Sequence, residues 1–203
     1  MRYFIDTEFI EDGKTIDLIS IGIVCEDGRE LYLQSLSFNH AKANEWVKEN
    51  VFLHLKQCPH RPGSHNLIWQ MQDHLQGAPR GQCTFEDPDI HTIGAHADCS
   101  WRTRKQIMCE VANFLQPDGE HTPFELWGWC AAYDYVALCQ LFGTMIDLPQ
   151  GYPHYICDFQ YVLDGRHISD DQLPQQESGL HNALEDAKHL KKLWESVVIN
   201  STW

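Results

Sequence analysis

Short apolar and alternating runs separated by polar turns fill the start of the chain. Arg2 to Glu8 is short and rich in aromatic and β-branched residues, Asp17 to Cys25 carries Ile19, Ile21, Ile23 and Val24, and Glu30 to Phe38 alternates Leu31 and Leu33 with polar positions. These runs predict three strands. Asp-Gly within Glu11-Asp12-Gly13-Lys14 and within Glu26-Asp27-Gly28 supplies turns, so the three form an antiparallel meander. The spacing then becomes helical. From Asn39 or His40 through about Val51, Ala43, Trp46, Val47 and Asn50 predict a helix, and from Thr103 to Leu115 a stripe of Ile107, Val111, Phe114 and Leu115 predicts another. Glu125 to Cys130 reads as a strand, Tyr133 to Phe142 as a helix stopped by Gly143, and Tyr155 to Asp158 as a strand. A final helix runs from near Asn182 to about Val198 on Ala183, Ala187, Leu190, Trp194 and Val197. Strands first, then strands alternating with helices, define an α/β fold with a mixed central sheet and flanking helices.

Length and composition place this pattern in a single globular domain spanning 1–203, with 43% apolar and 22% charged residues. The stretch 56–101 differs in character: it holds Pro59, Pro62, Pro79 and Pro88, five histidines and three cysteines, and reads as an insertion. Its Cys58, His60, His65, His74, Cys83, His91, His96 and Cys99 are zinc-type ligands at irregular spacing. Trp69 and Trp101 with Arg102, Arg104 and Lys105 suggest a stacking and phosphate-binding surface for single strands. Fifteen Lys and Arg against 29 Asp and Glu give −14, which excludes simple electrostatic coating of nucleic acid or acidic lipid. The eight cysteines lack CxxC spacing, and Cys25, Cys109, Cys130, Cys139 and Cys157 fall in apolar or helix-like stretches, as expected of reduced, mostly buried thiols. Met1 to Ile5 meets Asp6 before any apolar signal centre develops, so a cytoplasmic location is expected. Leu126 to Ile146 approaches the length of a membrane span, but Gly128, Gln140, Gly143 and Thr144 interrupt it and no membrane association is expected.

Four acids stand where acids are uncomfortable. Asp6 and Glu8, two apart on a strand, emerge on one face roughly 7 Å apart. Asp134 is the sole charge between Leu126 and Ile146. Asp186 lies on the line that continues through Leu190, Leu193 and Val197, so it points inward if Asn182 caps the helix and Glu185 completes a capping box. His181 then precedes the helix on a loop. Each has a bland alternative when taken alone: a solvated strand edge, a first-turn acid favoured by the helix dipole, an ordinary loop histidine. Together, Asp6, Glu8, Asp134 and Asp186 are hard oxygen ligands from three elements, suited to Mg²⁺ or Mn²⁺. Phosphodiester hydrolysis uses two such ions, about 3.5–4 Å apart, and a nearby histidine can take a proton from water at neutral pH.

In order and spacing, Phe4-Ile5-Asp6-Thr7-Glu8, Trp129 to Leu138 around Asp134, and His181-Asn182-Ala183-Leu184-Glu185-Asp186 resemble the DEDD-type 3′–5′ exonucleases in their histidine-containing branch. Leu138 to Gly143 and Leu173-Pro174-Gln175-Gln176-Glu177 make the chain most similar to the small bacterial and phage 3′–5′ exoribonuclease family, over roughly 1–55 and 102–198, the stretch 56–101 departing from it. The resemblance implies a ribonuclease H-like fold and two ions, one held by Asp6, Glu8 and Asp186 and the other by Asp6 and Asp134, with His181 as general base. It implies stepwise release of nucleoside 5′-monophosphates from single-stranded RNA or 3′ overhangs, Thr7 and Phe9 near the terminal nucleotide, and frequent homodimers. Two further readings stay open: a DNA exonuclease of the same chemistry, since sugar choice depends on pocket geometry, and a binding module without turnover.

Overall fold

A computed structural model of the chain describes residues 1–56, 99–117, 119 and 121–199. The proposed zinc ligands other than Cys99, together with Trp69, lie outside the described residues. The meander forms as expected from β1 (Arg2–Glu11), β2 (Ile16–Cys25) and β3 (Glu30–Ser35), with the Asp12 and Asp27 carboxylates bracing the two turns by accepting from the backbone N–H of Lys14 and Arg29, each at 3.0 Å. Three short strands complete the sheet: β4 (Trp101–Arg102), β5 (Glu125–Gly128) and β6 (Cys157–Asp158), in the order β4-β3-β2-β1-β5-β6. β1, β2 and β3 are antiparallel to one another, whereas the β3–β4, β1–β5 and β5–β6 pairings are parallel, so the sheet is mixed.

Helices cover both faces, and the alternation along β1 divides the core between them. Tyr3 and Ile5 pack with Ile107, Val111 and Leu115 of α2 (Arg104–Leu115) and with Ala137, Leu138 and Leu141 of α3 (Ala132–Phe142). Phe4, pointing the other way, packs with Phe159 and Leu163 of α4 (Phe159–Arg166) and with Leu190, Leu193 and Trp194 of α5 (Ala183–Trp194). A third cluster joins Ile10 and Ile19 to Val47 of α1 (Glu45–Asn50), Phe52 and Trp101.

Several expectations need correction. The helix anticipated from Asn39 to Val51 is a 3₁₀ turn, His40–Lys42, then α1, because Asn44 caps a new helix by accepting from Val47 N–H at 2.8 Å. β3 ends at Ser35, short of Phe38, and α4 forms where the spacing predicts no helix. Trp101 and Arg102 form no exposed nucleic-acid surface. Trp101 is buried with its indole N–H on the Lys56 carbonyl at 2.8 Å, and Arg102 is buried against Glu110. Cys130 is exposed rather than buried, whereas Cys25, Cys99 and Cys139 are buried. Leu126 to Ile146 is divided between β5, α3 and a 3₁₀ turn, and among the described residues no helix is long and apolar enough to cross a membrane.

Candidate active site

The four acids and the histidine converge beside the central strand β1. Asp6 and Glu8 share its α5-facing side, with Asp6 half-buried and Glu8 buried. A bulge between Glu8 and Phe9 shifts the register so that Glu8 faces Ser20 and Phe9 faces Leu18, interrupting the ladder just past the two acids before it resumes through Glu11 opposite Ile16.

α5 reaches this side through a close approach. Gly22 lies opposite Asp6 in the β1–β2 ladder, and a Cβ there would overlap the carbonyl of Ala183, the first residue of α5. The absence of a side chain lets the helix N-terminus sit on the strand backbone. Asn182 caps the helix through Oδ1, which accepts from Leu184 and Glu185 N–H at 3.2 and 3.3 Å. The expected capping-box partner Glu185 turns instead to Lys188 at 3.1 Å. Asp186 is therefore half-buried above the sheet with Leu190 and Leu193 buried behind it, the inward position anticipated from the apolar line. His181 adopts a left-handed backbone with φ 62°, and its N–H donates to Asp186 Oδ2 at 2.9 Å. Ligand atoms of Glu8, His181 and Asp186 all lie within 4.8 Å of one another.

Asp134 arrives from the other side of β1. β5 pairs with β1 through Phe4 opposite Trp127 and ends at Gly128, which leaves the Thr7 N–H facing the first turn of α3. Asp134 Oδ1 accepts from that N–H at 2.8 Å and from the Thr7 hydroxyl at 2.6 Å. Thr7, expected near a terminal nucleotide, is buried with its hydroxyl committed to Asp134, and Phe9 is half-buried and stacked on Tyr133 with ring centroids 5.6 Å apart.

Burial and mutual repulsion define the electrostatics. Desolvation raises Asp6 well above the usual carboxylate range, and the charges of Asp134, Glu8 and Asp186 push it further. Glu8 is raised to about 8 by burial, then by Asp186 and Asp134. Asp134 is raised to about 6 by burial, against the lowering effect of its Thr7 hydrogen bonds. Asp186 is also raised by burial, opposed by hydrogen bonds from Gln176 and the His181 backbone. No lysine or arginine is among the groups that set these shifts. Such a cluster lacks the positive charge needed to ionise together, and its all-oxygen donors suit hard divalent cations.

A cleft of about 550 Å³ opens at this centre, its walls including Asp6, Asp186, Trp129, Cys130, Gln176 and His189. Several of the surrounding residues are not singled out as site residues by the sequence. Trp46, placed on a predicted apolar stripe, is half exposed and meets the His181 ring edge-on at 4.8 Å. Asp158 accepts from the N–H groups of Cys130, Ala131 and Gln160 at 3.1, 2.9 and 3.0 Å, so β6 holds the turn that launches α3. Gln176 donates to Asp186 Oδ1 at 2.7 Å. Asp158 stands directly before a helix, the one local hint of a cap.

A carboxylate-rich centre on a mixed α/β sheet, with a histidine against it, is the kind of site found in phosphodiester hydrolases. The chain belongs to the family described as the 3′–5′ exoribonuclease Rv2179c-like domain, whose model matches residues 1–198. It is 37% identical over 188 residues to the 3′–5′ exoribonuclease Rv2179c of Mycobacterium tuberculosis strain H37Rv, covering 93% of this chain and 88% of the relative. The same values hold for 3′–5′ exoribonuclease MT2234.1 of strain CDC 1551. The family match extends across 56–101, the stretch expected to fall outside the pattern.

Proposed function

We propose that the protein is a divalent-metal-dependent 3′–5′ exoribonuclease of ribonuclease H-like fold, removing nucleoside 5′-monophosphates from single-stranded RNA or 3′ overhangs. The observation that carries this reading is the convergence of Asp6, Glu8, Asp134 and Asp186 with no lysine or arginine among the groups that shift them. The names of the relatives support the RNA substrate and the direction of attack.

In this reading Asp6, Glu8 and Asp186 would hold one Mg²⁺ or Mn²⁺, and Asp6 with Asp134 the second. When bound, the ions supply charge neutralisation at the scissile phosphate and acidify water. The protein's own residues do the rest. Thr7 fixes Asp134 through two hydrogen bonds to one oxygen, which leaves Oδ2 free of that pair. His181, whose ring nitrogen lies within 4.8 Å of Glu8 and Asp186 oxygens, accepts the proton of the attacking water. Trp46, edge-on to that ring, restricts its orientation. The open cleft admits a strand end at Asp6 and Asp186.

The test is digestion of 5′-labelled single-stranded RNA and the matching DNA, each also annealed to leave a 3′ overhang, with Mg²⁺, Mn²⁺ or chelator. A ladder shortening from the 3′ end of RNA, abolished by chelator, is expected. Equal or faster cleavage of DNA would make the enzyme a DNA exonuclease of the same chemistry. Binding without cleavage under any metal would point to a non-catalytic module.

A further inference from the structure

Asp186 has both carboxylate oxygens engaged by the loop that precedes its own helix. Oδ2 accepts from the His181 N–H at 2.9 Å, and Oδ1 accepts from the Gln176 side-chain amide at 2.7 Å. The same amide nitrogen also donates to the Ser178 carbonyl at 3.1 Å, so one side chain ties the loop to itself and to the carboxylate. The loop needs such a tie. Gly179 and His181 both lie in the left-handed region, at φ 75° and 62°, and a histidine there is held only where the surroundings over-determine it. Upstream, Leu173 is buried in the core with Phe159 and Leu190, which anchors the loop's first end. Gln176 is half-buried at the cleft wall between that anchor and His181.

The geometry points to Gln176 as a positioning residue that fixes the Asp186 carboxylate and, through it, the loop bearing His181. This rests on the proposed reading of Asp186 as a metal ligand. Hydrogen bonds to ligating carboxylates set their orientation, and losing such a partner costs about 10- to 100-fold in metal affinity or activity. Gln176→Met keeps the length and bulk of the side chain without the donor, and Gln176→Ala removes both.

Mn²⁺ alone would be titrated calorimetrically, at one fixed pH, into the wild-type protein and both variants. RNA hydrolysis would be followed over the same range of Mn²⁺ concentration, with circular dichroism to verify folding. Both variants are expected to need about tenfold more Mn²⁺ for half-saturation, with kcat lowered at sub-saturating metal and KM for RNA unchanged. Wild-type Mn²⁺ affinity in Gln176→Met, or a change confined to KM, overturns the positioning role. A wild-type protein that neither binds Mn²⁺ nor responds to it overturns the metal reading itself, an outcome distinct from loss of the Gln176 effect alone.

Discussion

Asp6 is the carboxylate on which the charges of Asp134, Glu8 and Asp186 all bear, and it lies in the middle of a buried strand. Asp6→Asn preserves shape and removes one of the repelling charges. It should abolish RNA turnover and, in metal-free protein at pH 8, raise the melting temperature above wild type, as expected where function is kept at a cost in stability. Gel assay and thermal melting check the two halves, and retained turnover contradicts the assignment of Asp6 to both ions. His181→Ala should slow hydrolysis by about 10²- to 10⁴-fold near neutral pH and less as hydroxide rises. A pH–rate profile parallel to wild type would remove His181 from the role of base. At this scale the sequence was most legible for the acids, because a charge inside an apolar run is costly unless something meets it. The roles of Gln176, Trp46 and Asp158 were not legible: a glutamine in a polar loop, a tryptophan on a helix and an aspartate before one gain their meaning only from the residues they meet in the fold, Asp186, His181 and Ala131.

Among the elements, the contact between α5 and β2 sets the spacing of the centre. Gly22→Ala would drive a methyl group into the Ala183 carbonyl and force the helix off the strand. The expected cost is about 1–3 kcal/mol, as for overpacking elsewhere, and Asp186 would move away from Asp6. Thermal melting and activity should fall together, and unaltered activity would show that the approach does not position the site. On the opposite side, Asp158→Ala removes the acceptor of three N–H groups, including two at the start of α3, which has no side-chain cap of its own. A loss of about 1 kcal/mol, the usual value of a cap, is expected by denaturant titration. The meander, α2, α3 and α5 were legible from periodicity and turn residues. The break at Asn44, the eight-residue α4 and the two-residue β4 were not, since a local cap, a helix of two turns and a short edge pairing leave too few repeats for a period to show.

The whole molecule carries −14, and its acid centre adds locally unfavourable charge. Carboxylates raised in the folded state bind more protons than the unfolded chain does, so their contribution favours folding at low pH and is lost as pH rises through the folded values. With Asp134 raised to about 6 and Glu8 to about 8, the metal-free protein should lose melting temperature between pH 5 and pH 8. Mn²⁺ should restore more of it at pH 8 than at pH 5, because ionised ligands bind the ion without first releasing a proton. Equal metal stabilisation at both pH values would contradict the raised carboxylates. The mixed sheet with helices on both faces was legible at this scale from the order of strands and helices. The division of its core into separate clusters was not, since it depends on which face each β1 residue presents.

In the proposed function, four acids from three elements form a divalent-ion centre. Direct counting of Mn²⁺ bound per chain, in wild type and in Asp6→Asn, tests it. Two ions in the wild type and a loss of binding in the variant are expected. No bound ion in the wild type, or an undiminished count in Asp6→Asn, would contradict it.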